Sequence, residues 1–236
     1  TSNHENKDQY HLYYANHDAT SAITTHFPMQ DAQDGIVGDG QTETVRYAIP
    51  KGSMSFWEDR LNHFGIFNFK YKRFNQEYLA FNDPHGLALE FVEVDTQDQN
   101  LWEFNGVTQD VAIQDIYNVS LASLRPEDTV KLFTEVFGYE IVDNDPEYLH
   151  LQVHDGIGGS VDIRKQRSVE GTEGTGTVHH IALSIPNGSA QAWKEKLMKA
   201  GYFPTAVKNR FYFESVYFRD KGGITIELAT QGPGLT

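Results

Sequence analysis

The segment Val178–Ile185 reads VHHIALSI, and the segment Gly222–Ala229 reads GGITIELA. Both are short apolar runs bounded by Gly or Pro, a pattern that predicts buried β-strands. The first run carries the pair His179 and His180 at its start, and the second carries Glu227 in its middle. A carboxylate inside an apolar strand is costly to bury unless a partner compensates its charge. These two segments therefore indicate where chemistry is to be sought.

Two kinds of partner are open for Glu227 at this point. A divalent metal that is shared with a histidine of a neighbouring strand would neutralise the carboxylate, because imidazole and carboxylate groups together bind transition metals. A salt bridge with Arg210 or Arg219 would neutralise it equally well. The residues of the two segments alone leave both partners possible.

The same order of predicted elements occurs three times along the chain. Each copy consists of a strand, a helix and three further strands, and the copies begin at Thr44, Ile116 and Val178. The strand Val45–Pro50 aligns with Ile181–Pro186, and Leu89–Phe91 aligns with Ile226–Leu228. A supersecondary unit that recurs along a chain predicts a repeat architecture.

Helical spacing of apolar residues and the position of Pro and Gly predict the helices of the three copies. These helices are Met54–Phe64, Pro126–Phe137 and Ser189–Ala200. The strands predicted after them are Asn68–Phe74, Glu77–Phe81, Leu87–Val94, Tyr139–Val142, Glu147–Val153, Gly159–Arg164, Phe203–Val207, Phe213–Arg219 and Ile224–Ala229.

We therefore expect an α+β fold of repeated βαβββ units. The predicted domains are residues 1–105 and 106–236, joined near Asn105 and Gly106. The predicted strands Tyr10–Ala15 and Ser21–Phe27 look like the last strands of an earlier unit whose first strand and helix are not in the sequence. We expect the natural protein to begin further upstream, or the chain to be cleaved or truncated.

Composition excludes several classes of partner. A formal net charge of −14, from 19 Lys and Arg against 33 Asp and Glu, argues against binding to nucleic acid or to an anionic membrane surface. No apolar run reaches the roughly 18 residues that a membrane helix needs. Cysteine is absent, which excludes disulfides and thiol catalysis and is consistent with a cytoplasmic location. A homo-oligomer remains possible.

Several motifs give the repeat a family resemblance: YHLYY at residues 10–14, SMSFW at 53–57, DPHGL at 83–87, VHHIA at 178–182 and SVYFR at 215–219. With Gly222 and Gly223, these motifs resemble the vicinal oxygen chelate superfamily, also called the glyoxalase/bleomycin-resistance/dioxygenase fold. They are most similar to its ring-cleaving extradiol dioxygenases that act on hydroquinones. The resemblance covers nearly the whole chain, and it implies that the βαβββ units form two similar domains with cupped mixed sheets.

The resemblance implies an iron centre with two histidines and one glutamate as ligands. His180 matches the second histidine of that set and Glu227 matches the glutamate. The first histidine belongs to the opening strand of the first unit, which this sequence lacks. Fe(II) is the metal that the resemblance implies first, with Mn(II), Zn(II) or Ni(II) as alternatives.

Three further residues match groups of the family that act on the substrate. His179 matches a histidine that transfers protons, and Arg210 and Tyr217 match groups near the substrate oxygens. Arg210 could equally be a surface charge and Tyr217 a core aromatic residue. Adjacent side chains on a regular strand face opposite ways, so His179 reaches the site only if the strand begins irregularly.

The predicted function is a metal-dependent, cytoplasmic dioxygenase that opens a hydroquinone or catechol ring with O₂, so its partners are a small aromatic substrate and O₂. The alternatives are a glyoxalase-like lyase or isomerase with Zn²⁺ or Ni²⁺, and a non-catalytic binding or resistance protein or inactive fragment. One fold hosts all of these functions. Glu90 occupies the place of Glu227 in an earlier unit, but Thr44 stands where its histidine would be, so we interpret Glu90 as a relic of the repeat.

Overall fold

The computed structural model describes residues 10–16, 22–29, 31–95, 100–232 and 234. Within these residues the chain forms a short hairpin followed by three βαβββ units, which confirms the mixed α+β fold that the repeat predicts. The hairpin strands are β1 (Leu12–Tyr14) and β2 (Thr24–His26), paired antiparallel. Ser21, where the second hairpin strand is predicted to begin, lies outside the described residues.

The first unit comprises β3 (Gln41–Pro50), α1 (Met54–His63), β4 (Asn68–Arg73), β5 (Gln76–Asn82) and β6 (Ala88–Val94). The second comprises β7 (Asp115–Ala122), α2 (Pro126–Lys131) with a π-helical continuation (Leu132–Val136), β8 (Glu140–Asn144), β9 (Tyr148–Gln152) and β10 (Ser160–Arg164). The third comprises β11 (Ile181–Ile185), α3 (Ala190–Lys199), β12 (Lys208–Asn209), β13 (Glu214–Arg219) and β14 (Thr225–Thr230).

All three units share one sheet topology. The first strand of each unit pairs in parallel with the last strand, and the last strand pairs antiparallel with the strand before it. An antiparallel contact between β3 and β7 joins the first two units into one eight-stranded sheet, whereas the third unit forms a four-stranded sheet. The eight-stranded sheet runs across residue 105, and the division into two domains at that residue stays a prediction.

The parallel pairs place one carboxylate at the same position in every unit. Glu90 lies opposite Arg46, Asp162 lies opposite Ser120, and Glu227 lies opposite Ala182. The three carboxylate residues are buried. The repeat therefore brings three acidic side chains to equivalent positions inside the sheets.

Several predicted strands have different boundaries in the structure, among them the opening strand of the third unit and the strand predicted after α3. Strand β11 begins at Ile181, so His179 and His180 precede it. The strand predicted at Phe203–Val207 does not form, and β12 is limited to Lys208–Asn209. The Thr205 amide donates a 2.8 Å hydrogen bond to the Tyr217 carbonyl, but Pro204 lacks the N–H that a ladder requires and Phe203 is 93% exposed, so the pairing does not extend into a strand.

The main hydrophobic core lies between the second and third units. It includes Leu132 and Phe133 of the second unit and Leu197, Ile226 and Leu228 of the third, all of which are buried. Polar contacts reinforce the same boundary, because the Thr129 hydroxyl donates a hydrogen bond of 2.5 Å to Asp220 and the Leu124 amide donates one of 2.9 Å to the Gly222 carbonyl. The third unit is therefore held against the second by both apolar packing and hydrogen bonds.

The segment before β3 holds the loop that leads to the paired histidines. The amides of Gly35 and Ile36 each donate a 2.9 Å hydrogen bond, to the carbonyls of Thr175 and Thr172 respectively. A Cβ atom on Gly174 would come within 2.5 Å of the Gln33 carbonyl oxygen, so the two backbones approach more closely than other residues allow. This contact fixes the backbone immediately before Val178.

We expect Leu197→Ala to lower the free energy of unfolding by about 2–5 kcal/mol, because Leu197 is fully buried in the main core and its loss leaves a cavity. The neighbouring change Met198→Ala is the control, since Met198 is 57% exposed on the same helix and we expect an effect within about 0.5 kcal/mol. Urea unfolding measures both values. Equal effects would show that α3 does not pack as described.

Candidate metal centre

His180 and Glu227 lie side by side at the start of β11. Glu227 is opposite Ala182 in the parallel pair of β11 and β14, and His180 precedes Ala182 by two residues, so its side chain points to the same face. The distance from His180 Nε2 to Glu227 Oε2 is 3.1 Å. Glu227 is 5% exposed, and its other oxygen, Oε1, is buried without a hydrogen bond of regular geometry. The predicted ligand pair is therefore preassembled in the fold.

His179 reaches the same place because the strand begins irregularly. His179 Nδ1 and His180 Nδ1 are 2.8 Å apart, and the two rings lie edge to face with their centroids separated by 5.1 Å. A regular strand would have turned the two imidazoles to opposite faces. One of the two Nδ1 atoms donates the hydrogen of this contact and the other accepts it.

Tyr217 and Arg210 complete the group from the neighbouring strand. Tyr217 lies opposite Glu227 in the antiparallel pair of β13 and β14, and its ring centroid is 5.5 Å from that of His180. The guanidinium carbon of Arg210 lies 5.8 Å from the centre of the Tyr217 ring, and Lys208 Nζ lies 5.5 Å from it. All five residues that the sequence singled out thus converge, and their individual roles stay predictions.

Electrostatics favour a charged carboxylate beside a neutral phenol. Burial opposes ionisation of Glu227, but hydrogen bonding to His180 and the nearby Tyr217 hydroxyl outweigh burial and lower the pKa of Glu227. Burial raises the pKa of Tyr217 well above its ordinary value, and the negative charge of Glu227 raises it further. Tyr217 therefore keeps its proton throughout the neutral range and serves as a hydrogen-bond donor.

Arg219 and Arg210, the alternative partners of Glu227, contact other residues in the structure. Arg219 Nη2 donates a 3.0 Å hydrogen bond to Glu173, and both of those side chains are more than half exposed. Arg210 lies over the Tyr217 ring. The group that faces Glu227 Oε2 is the imidazole of His180, so the structure favours the histidine partner over Arg219.

The positions of His180 and Glu227 fit two of the three ligands that the expected metal site requires. Two ligand atoms in adjacent coordination positions, with bonds of about 2.1 Å, lie about 3 Å apart, which matches the separation of His180 Nε2 and Glu227 Oε2. Oε1 of Glu227 is a further buried oxygen, and it has no hydrogen bond of regular geometry. Among the residues that the structure describes, no group of three or more His, Cys, Asp or Glu side chains comes together to hold a metal. His180 and Glu227 therefore supply two ligands of the expected three.

A small cavity of about 10 Å³, close to the volume that one water needs, adjoins the paired histidines. Its lining includes Gln41, Thr42, Glu173, His179 and His180. This polar cavity lies where the segment before β3 meets the loop that carries the histidines.

The hairpin contributes aromatic residues that the sequence did not single out for the site. Phe27 lies 6.4 Å from His179 between ring centroids, and His11 stacks on Phe27 at 4.2 Å. The Tyr13 hydroxyl is 2.8 Å from His11 Nδ1. No local pattern could reveal this contact, because it depends on the hairpin folding back against the third unit. The aromatic content of residues 10–14 was the only available signal.

In the residues that the structure describes, no helix is both long and apolar enough to cross a membrane.

Comparisons with known proteins agree with this architecture. A family model described as the Glyoxalase/Bleomycin resistance protein/Dioxygenase superfamily matches residues 117–228. "Putative ring-cleaving dioxygenase MhqO" of Bacillus subtilis is 38% identical over 236 residues, which cover 99% of this chain and 76% of that protein. "Chlorohydroquinone/hydroquinone 1,2-dioxygenase" of Sphingobium indicum is 29% identical over 233 residues, which cover 93% of this chain and 72% of that protein.

Two solved structures extend the comparison. The crystal structure of a "putative dioxygenase" from Bacillus subtilis has a TM-score of 0.94 and 37% identity, and the match covers 99% of this chain and 76% of that chain. Glyoxalase I from Zea mays has a TM-score of 0.61 at 15% identity, covering 90% of this chain and 75% of that chain, which shows a shared fold alone. The chain therefore belongs to the glyoxalase/bleomycin resistance protein/dioxygenase superfamily, among its ring-cleaving dioxygenases, which are oxidoreductase enzymes.

Proposed function

We propose that this protein is a metal-dependent, extradiol-type dioxygenase that opens the ring of a hydroquinone or catechol with O₂ in the cytoplasm. The observation that carries the proposal is the 3.1 Å contact between His180 and Glu227, with His179 and Tyr217 beside it. The relative from Sphingobium indicum, whose name specifies chlorohydroquinone and hydroquinone, supports the substrate class.

Fe(II) is the proposed metal, because a set of two histidines and one carboxylate is typical of non-haem iron oxygenases. His180 and Glu227 would hold it, and the bound metal would supply the redox chemistry that lets O₂ react with an electron-rich phenol. Mn(II), Zn(II) and Ni(II) are the alternatives that a metal analysis would distinguish.

The other residues of the site would act on the phenol directly. His179 is exposed beside His180 and would accept the hydroxyl proton that a hydroquinone loses when it binds. The Tyr217 phenol would donate a hydrogen bond to a substrate oxygen, and the positive charge of Arg210 would stabilise negative charge that develops there. Phe27 would pack against the aromatic ring of the substrate.

We expect His180→Ala and Glu227→Gln each to reduce bound iron by at least about tenfold, because each change removes one metal ligand. The control is His63→Ala, which alters an exposed histidine on α1, away from the site. Metal analysis after dialysis and O₂ uptake with methylhydroquinone are the measurements. Iron retention equal to that of the parent in both variants would refute the ligand assignment. Metal binding without consumption of any hydroquinone would instead favour a lyase or binding function.

We expect Tyr217→Phe to lower kcat on a hydroquinone by about 10²-fold with little change in iron content, because the change removes one hydrogen-bond donor and keeps the ring. Tyr212→Phe is the matched control, since Tyr212 is 40% exposed and lies outside the described site contacts. Steady-state kinetics with parallel metal analysis separate the two effects. An unchanged kcat would show that Tyr217 is a packing residue.

We expect Phe27→Ala to raise KM for the phenol by about 3- to 10-fold and to change kcat less, because one aromatic contact is worth roughly 0.5–1.5 kcal/mol. Tyr14→Ala serves as the control, since Tyr14 is in the same hairpin but 58% exposed. Initial rates over a range of methylhydroquinone concentrations measure both constants. A loss of kcat without a change in KM would place Phe27 outside the substrate pocket.

A further inference from the structure

Arg46 is the largest fully buried side chain that carries a charge, with 1% of its surface exposed. Its Nε donates a hydrogen bond to Glu90, and its Nη1 donates to Asp162 at 2.5 Å and to Asn118 at 3.0 Å. Its Nη2 donates to the Ser120 hydroxyl at 2.8 Å. We call these five residues the Arg46 cluster. The cluster occupies the middle of the eight-stranded sheet, where the first and second units meet.

The strand registers make the Arg46 cluster equivalent to the candidate metal centre. Glu90 and Asp162 occupy the positions in the first two units that Glu227 occupies in the third. Asn118 precedes Ser120 by two residues, as His180 precedes Ala182, and it therefore stands where the histidine ligand stands in the third unit. The antiparallel contact of β3 with β7 brings both carboxylates to one centre.

The atoms that accept hydrogen bonds from the guanidinium are all oxygens, and the Tyr78 ring lies over it with its centroid 5.0 Å from the guanidinium carbon. Two carboxylates, one amide oxygen and one hydroxyl converge on the space that the guanidinium fills. Such a set of oxygen ligands is what hard divalent cations such as Mn²⁺, Mg²⁺ and Ca²⁺ prefer. The guanidinium supplies a single positive charge against two carboxylates, and an isolated buried carboxylate is too costly to leave without a cation.

Outer contacts orient the two carboxylates in addition to Arg46. The Tyr71 hydroxyl donates a 2.6 Å hydrogen bond to the second oxygen of Glu90. His150 Nδ1 is 2.6 Å from the second oxygen of Asp162. Burial opposes the positive charge of Arg46, but Asp162 and Glu90 outweigh burial and raise its pKa, so the guanidinium stays charged. The oxygens that face the guanidinium are thus oriented by residues outside it.

We propose that the Arg46 cluster is a second cation site, equivalent to the candidate metal centre, in which the guanidinium of Arg46 is the resident cation and excludes a metal. Arg46 thereby confines metal binding to the centre at His180 and Glu227. The inference depends on the contacts of Arg46 and on the repeat, and it is independent of the reaction proposed above.

The test removes the guanidinium and supplies Mn²⁺ as the only probe. Both chains carry His180→Ala, which removes a ligand of the candidate centre, and one of them also carries Arg46→Ala. We expect the chain with Arg46→Ala to bind one more Mn²⁺ than its parent, measured from free Mn²⁺ by electron paramagnetic resonance. We also expect millimolar Mn²⁺ to raise its thermal midpoint while leaving that of the parent unchanged.

A matched control carries Glu90→Gln and Asp162→Asn together with Arg46→Ala. These changes keep the shape of the ligands and remove their charge, so we expect the additional Mn²⁺ and the thermal shift to disappear. Equal Mn²⁺ binding by the chains with and without Arg46 would overturn the proposal. Binding that persists in the neutral control would overturn it as well, because the metal would then lie elsewhere.

If Arg46→Ala is recovered only in an unfolded state, the same question is answered by refolding. Recovery of the folded chain in Mn²⁺ but not in its absence would support the proposal, because the metal would then replace the missing charge. Equal failure to refold with and without Mn²⁺ would refute it, since the remaining oxygens would be shown unable to hold a cation.

Discussion

The parallel pairing of the first and last strands in each βαβββ unit is the constraint on which the rest of the structure depends. Side chains opposite one another in such a pair share a face of the sheet. In each unit, one carboxylate of the last strand lies on a buried face. The chain carries such a carboxylate three times, at Glu90, Asp162 and Glu227. Because a buried carboxylate requires a compensating charge, each unit needs a partner for its carboxylate.

The buried carboxylates have two different kinds of partner. In the eight-stranded sheet, one guanidinium compensates Glu90 and Asp162 together and makes hydrogen bonds on each of its nitrogens. Removal of one partner from a buried ion pair lowers the free energy of unfolding by about 3–5 kcal/mol. These ion pairs therefore favour a single arrangement of the first two units relative to each other. In the third unit, Glu227 has a histidine and a phenol nearby and a carboxylate oxygen without a regular hydrogen bond. The carboxylates around Arg46 have their charge compensated, which favours a stable fold. The pair of His180 and Glu227 keeps a carboxylate oxygen without a regular hydrogen bond, which favours the binding of a metal.

The candidate centre is held rigid from two directions. The core shared by the second and third units supports β14 from beneath, through residues such as Phe133 and Ile226. The segment before β3 fixes the loop that leads to His179, through the amides of Gly35 and Ile36. A site whose residues stand on well-packed elements is held in a defined geometry, and these contacts fix the separation of the histidine and the carboxylate.

The sequence by itself determined the repeat, the α+β class and the residues that carry charge inside apolar strands. Those features depend on local periodicity and on the unfavourable burial of single groups, both of which are readable from neighbouring residues. The family resemblance, together with the two strand patterns, predicted that His180, Glu227 and Tyr217 belong to one site, and the strand pairing of the structure brings them together. The short β12 was missed because Phe203–Val207 resembles a strand in composition, and only the structure shows that Phe203 is exposed.

Tertiary structure alone decided the contacts between elements that are far apart in the chain. The sequence indicated that Glu90 is a relic of the repeat, because its own unit lacks a histidine. In the structure its partner Arg46 also donates hydrogen bonds to Asp162 and Asn118 of the next unit, across the contact of β3 with β7. Phe27 and His11 reach the paired histidines only because the hairpin packs against the third unit. Such contacts depend on how whole units dock, and no local pattern of side chains encodes that docking.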